Sequence, residues 1–134
     1  QNQIVVANGA NDTLTAADVR RHAALFRKSR AVLAQLETTT AATEAALQLG
    51  RDSGALTVLN PAPFSAVSES LLALCDWIIP NEGEAEKLSR IKITTPEKAA
   101  AAARAIRRRA PRANIALTLG ERGVWIETST LLSG

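Results

Sequence analysis

In four places polar residues directly follow a short apolar run, where their side chains and amides would stand at the end of a strand. The most informative is Asn81, Glu82, Gly83, Glu84, after the run 77–79. An Asn with a Glu three residues on is a reciprocal capping box, and that reading is sufficient by itself. The same residues also suit phosphate. A helix beginning where a strand ends offers free N–H groups and the positive end of its dipole, with Asn81 as a further donor. Glu84 would then hold Mg²⁺, directly or through water, because a hard cation prefers carboxylate and water oxygens. The residue types leave both readings open. The second place is Thr118, Leu119, Gly120, Glu121, Arg122, Gly123. Its glycines let backbone N–H groups approach an anion closely, although a plain hairpin explains the same residues. It is not a Walker loop, since no Gly-Lys-Ser or Gly-Lys-Thr triplet occurs, and no dinucleotide fingerprint is present.

The third place is Glu37, which emerges where the run 31–36 stops and is suited to accept hydrogen bonds from ligand hydroxyls. A solvated carboxylate near a helix start is the plainer alternative, and the residue types alone favour it. The fourth, Asn60, Pro61, Ala62, Pro63, reads as a turn that ends a strand. His22 reads as a surface histidine on a helix. Cys75 falls in an apolar helix and reads as packed. No serine or cysteine has a plausible base partner, and a single cysteine excludes an internal disulfide or a zinc module.

The elements that must position these residues follow from alternating patterns. Strands rich in Val, Ile and Leu are expected at 3–7, 31–36, 55–59, 77–79, 115–119 and 124–127. Between them lie helical patterns. One is capped by Thr15 with Asp18, its stripe formed by Val19, Ala23 and Phe26. A second has Ala42, Ala45, Ala46 and Leu49 as its inner face and stops near Gly54. A short one surrounds 71–74, a fourth covers 82–88, and a fifth opens with Thr95 as cap and Pro96 at the first helical position. The last two strands, joined by a short turn, form an antiparallel pair. The fold class is therefore α/β, an open, mostly parallel sheet flanked by helices. Ligands of such sheets bind beyond the carboxyl ends of the strands.

A chain of 134 residues with 46% hydrophobic and 22% charged residues has the composition of one globular domain. No run approaches the ~20 apolar residues that span a bilayer. The net charge of +3 is local, with Arg104, Arg107, Arg108, Arg109 and Arg112 clustered in one stretch. Ala99, Ala102, Ala103 and Ile106 recur at helical spacing, which puts Arg104 and Arg108 on the solvent face of an amphipathic helix. With 3% aromatic residues there is no base-stacking platform, so neither nucleic acid nor membrane is expected as a partner.

Taken together, the phrases GAND followed by LT, then QLE, LNPAP, PNEGEAEKL and TLGERGVW resemble the phosphofructokinase-B type of carbohydrate kinases, and within it the ribokinases. The order and spacing match over essentially the whole chain, to about Glu127. The resemblance implies a ribokinase-like fold and phosphoryl transfer from ATP to a sugar hydroxymethyl group, with D-ribose as the expected sugar. It implies Glu37 as a substrate-binding residue and Asn81 near the ATP phosphates. Glu84 matches the glutamate linked to Mg²⁺, and Thr118, Leu119, Gly120, Glu121, Arg122 and Gly123 match the nucleotide-contacting loop. ATP and Mg²⁺ are the implied cofactors, with a cytoplasmic enzyme that is a homodimer at full length.

The family's catalytic aspartate lies in a Gly-Ala-Gly-Asp type motif, which does not occur here, and the glycine-rich sugar-binding segments are also absent. With no Met in the sequence, the 134 residues are expected to be one domain, the central part of a longer kinase, and to be inactive on sugar by themselves. A non-catalytic nucleotide-binding α/β module is the alternative. The apolar segment 3–7 is expected to lie near a lid sheet and to promote self-association through its exposed edge.

Overall fold

The computed structural model describes residues 9–128. The expected strand at 3–7 lies outside them. A 3₁₀ turn, Gly9–Thr13, leads into α1 (Ala16–Arg21) and α2 (Ala23–Phe26). The chain then alternates strand and helix: β1 (Ala31–Ala34), α3 (Thr40–Asp52), β2 (Leu56–Leu59), α4 (Glu69–Ala73), β3 (Trp77–Ile78), α5 (Glu82–Ser89), α6 (Pro96–Arg109) and β4 (Asn114–Thr118). A 3₁₀ turn, Gly120–Arg122, reverses the chain into β5 (Val124–Glu127). β1, β2 and β3 are one to two residues shorter than their apolar runs, β4 begins and ends one residue earlier than expected, and β5 has the expected bounds.

Side-chain caps set most helix starts. Thr15 and Asp18 form the expected capping box on α1, and Thr39, Ser68 and Thr95 each accept from the backbone three residues on. Pro96 occupies the first turn of α6, where its missing N–H removes no intrahelical bond.

The sheet order is β1-β2-β3-β4-β5, parallel except for the antiparallel pair of β4 with β5. Each parallel step moves the same way, so right-handed crossovers place their helices on one face. The register agrees. Val32 pairs with Thr57, and Leu59 with Ile78, which pairs with Ile115. These residues share one side and are buried with Leu47, Leu71, Ala102, Ala103 and Ile106 of the helices. The opposite face has no helix over it among the described residues. Leu33 is 68% exposed, Leu56 45%, Val124 55% and Ile126 46%. Parallel sheets are normally buried on both faces, so this is an apolar surface without its usual cover.

Two details of the core depart from the sequence pattern. The buried line of α3 runs through Thr43, Leu47 and Gly50 beside Ala42 and Ala45, whereas Ala46 and Leu49 are half-buried. Gly50 explains the rotation: a Cβ there would meet Val32 Cγ2 at 2.9 Å and Thr57 Cγ2 at 3.1 Å, so the helix lies directly on β1 and β2. The stripe Val19, Ala23, Phe26 is half-buried, since α1 packs on α3 at the sheet margin.

The arginine cluster is largely committed to fastening. Arg107 pairs with Glu127, Arg109 with Glu69, and Arg112 with Asp76, while Arg104 and Arg108 face solvent as expected. Asp76 also accepts from the backbone N–H of buried Thr57 at 2.9 Å, which joins β2 to the start of β3. Cys75 is buried and its thiol is pushed up to about 12, first by desolvation and then by the Asp76 carboxylate. No helix among the described residues is long and apolar enough to cross a membrane.

Candidate functional site

The carboxyl ends of β1 to β4 form one edge, and the four polar segments that the sequence places at strand ends stand on it. At the end of β3, buried Pro80 leads into Asn81, the N-cap of α5. Asn81 and Glu84 satisfy each other. The Asn81 backbone N–H donates to Glu84 Oε2 at 2.8 Å, its side-chain amide donates to Oε1 at 2.8 Å, and its Oδ1 accepts from the Glu84 N–H at 2.9 Å. Glu84 is 7% exposed whereas Asn81 is exposed, so the capping box has a buried carboxylate under a solvent-facing cap. A carboxylate has about four lone-pair sites, and two remain on Glu84.

The end of β4 lies against this cap. Thr118 N–H donates to Pro80 O at 2.9 Å, and Asn81 and Thr118 form a parallel β-bridge. The following turn closes on itself: Leu119 N–H donates to Gly123 O at 2.8 Å and Gly123 N–H to Gly120 O at 3.0 Å. Gly120 and Gly123 have φ of 60° and 87°, left-handed conformations that favour glycine. Arg122 hydrogen-bonds Glu82 in the first turn of α5. Asn81, Glu84 and the turn are therefore one cluster.

Glu37 is not part of it. From the end of β1 to the end of β4 is three strand spacings, about 14 Å. Glu37 lies on a separate cavity of about 380 Å³ at the end of β1, lined also by Asn11, Gln35, Thr38 and Thr43. The turn after β2 braces this segment, with Leu36 N–H donating to Ala62 O and Asn60 N–H to Ala34 O, both at 2.9 Å. The LNPAP turn thus supports the ground from which Glu37 projects. The edge thus carries acceptors and amides at one end and a cavity of mixed lining, with Glu37 on it, at the other.

The chain matches the model of the pfkB family carbohydrate kinases over residues 1–131. It belongs to the pfkB family of carbohydrate kinases. Among curated pfkB-type relatives, the ribokinase of Haemophilus influenzae is 38% identical over 126 residues, covering 94% of this chain and 41% of the relative. The structure of ribokinase from Giardia lamblia superposes with a TM-score of 0.82 at 26% identity, over 99% of this chain and 43% of that one. A structure of Arabidopsis thaliana ribokinase complexed with ribose and ATP has a TM-score of 0.78 at 20% identity, over 96% of this chain and 41% of that one. The chain thus spans about two fifths of the length of these relatives. The expected ribokinase-like α/β fold is confirmed.

Two contacts of the pfkB edge are not visible in the sequence. Asn11 shares the Glu37 cavity although 26 positions separate them, and Glu82 is a cap neighbour until Arg122 is seen to reach it. Neither contact leaves a local signal, since both depend on the register of distant elements. No group of three or more His, Cys, Asp or Glu that could cage a metal occurs among the described residues.

Proposed function

We propose that this chain forms the nucleotide-facing edge, and part of the sugar-facing edge, of an ATP-dependent sugar kinase of the ribokinase type. The observation that carries the reading is the junction of Asn81 with Thr118, which brings the α5 cap and the glycine turn together at one strand edge. Asn81 and the turn Thr118 to Gly123 contact the nucleotide, and Glu37 accepts hydrogen bonds from sugar hydroxyls, with ribose as the acceptor. The positive end of the α5 dipole favours the phosphates there.

Mg²⁺ fits this site through water. Glu84 has spare lone pairs but is held by Asn81, so it would hold Mg²⁺ through a bound water, as suits a cation that dehydrates reluctantly. When bound, it neutralises charge on the transferring phosphoryl group. The chain's own part is positioning: Asn81 fixes the carboxylate, the turn meets the nucleotide, and Glu37 orients the acceptor. About 14 Å between the two ends leaves room for a triphosphate and a sugar on one line.

A chimera tests the reading. This chain replaces the matching segment of Haemophilus influenzae ribokinase, and ATP-dependent phosphorylation of ribose is assayed. The chimera is expected to turn over, and Glu37→Gln within it to raise the KM for ribose by at least tenfold with a smaller effect on the KM for ATP. A folded, ribose-binding chimera with no phosphorylation, or a Glu37→Gln effect on ATP alone, counts against the assignment.

A further inference from the structure

We propose that Glu82 is a positioning residue for the nucleotide site, acting through Arg122 to fasten the glycine turn to the first turn of α5. The proposal rests on the nucleotide reading of this edge. At Thr118 the β4 end is held to Pro80 by one backbone bond and by the Thr118 hydroxyl. Beyond it, the turn's backbone bonds are internal: Arg122 to Leu119, Gly123 to Gly120 and Leu119 to Gly123. The Arg122 guanidinium on Glu82 is the one side-chain hydrogen bond crossing from the turn to α5 among the described residues. The pairing of Thr118 with Val124 fixes the two ends of the turn, and this tie is what holds the tip of the turn, with its two positive-φ glycines, against α5.

Charge points the same way. The first turn of α5 carries two carboxylates, and Asn81 occupies that of Glu84. Glu82 would stand unpaired beside an arriving phosphate, and Arg122 neutralises it. The two side chains are 39% and 47% exposed, so the tie belongs to the class of surface ion pairs and its effect is moderate.

The test uses the 134-residue chain with MgATP as the probe, alongside hydrogen exchange of the Gly120, Glu121 and Gly123 amides without nucleotide. Glu82→Gln and Arg122→Gln should each raise the Kd for ATP about three- to fivefold and speed exchange in the turn. The exchanged pair Glu82→Arg with Arg122→Glu should return both readouts to within about twofold of the parent, with the thermal transition unchanged in all variants. Tighter or unchanged ATP binding in Glu82→Gln overturns the proposal. So does a loss in Arg122→Gln that the exchanged pair fails to rescue, which would make Arg122 a direct nucleotide contact. If the parent chain binds no ATP while exchange responds as described, the nucleotide reading falls and Glu82 is a structural contact only.

Discussion

Asn81 and Thr118 face each other across a single parallel bridge beyond the last residues of β3, and this joins a helix cap to the start of a glycine turn distant in the sequence. The candidate nucleotide site is built on that join.

Asn81→Ala removes the cap acceptor and the side-chain amide donor to Glu84, and leaves the backbone N–H of residue 81 on the carboxylate. Loss of an N-cap costs about 1 kcal/mol, and losing one of the two hydrogen bonds to the buried Glu84 carboxylate adds about 1–3 kcal/mol. Chemical denaturation should therefore show a loss of about 2–4 kcal/mol. Asn81→Ser, which keeps a cap acceptor, should lose less. Equal losses in the two variants would mean that the contacts to Glu84, and not the cap, dominate.

The strands and caps were legible because they are local. Val, Ile and Leu runs marked β1 to β5, and Thr15, Asn81 and Thr95 announced three helix starts. Gly50, the Glu82 and Arg122 pair, and the uncovered sheet face were not legible. Gly50 looks like a helix-weakening residue until Val32 and Thr57 are seen beneath it. The sheet face is defined by register, and alternation within a four-residue strand says little about which side will be covered.

Gly50→Ala should destabilise the chain despite better helix propensity. The substitution gains about 1 kcal/mol from propensity, while a methyl forced against Val32 Cγ2 costs about 1–3 kcal/mol. A net loss of up to about 2 kcal/mol is expected in urea unfolding, and a paired Val32→Ala change should recover part of it. A Gly50→Ala variant more stable than the parent would show that α3 shifts freely.

The uncovered face should make the 134-residue chain self-associate. Leu33, Leu56, Val124 and Ile126 are exposed on one side of the sheet, a patch of the kind that marks an interface. Sedimentation should show concentration-dependent association, and Leu33→Glu with Ile126→Lys should suppress it without altering the far-ultraviolet dichroism. Association unchanged in the double variant would assign it to another surface.

Cys75 should be inert in the folded chain. Its thiol is pushed from 9.0 up to about 12, so the folded state holds the proton more tightly than the unfolded state. That contribution is fully present below pH 9, declines as the unfolded thiol ionises, and is lost as the pH approaches about 12. Iodoacetamide at pH 8.5 should label Cys75 only at the rate of unfolding, and Cys75→Ser should flatten the alkaline limb of the stability curve. Rapid labelling of native protein would contradict the burial.

The central claim is that the joined ends of β3 and β4 bind the phosphates of a nucleotide. Calorimetric titration of MgATP into the 134-residue chain and its Asn81→Ala variant, both confirmed folded, tests it most directly. The account predicts saturable binding to the parent chain, weakened at least tenfold by the substitution. No binding at millimolar nucleotide, or equal affinity in the two proteins, would contradict it.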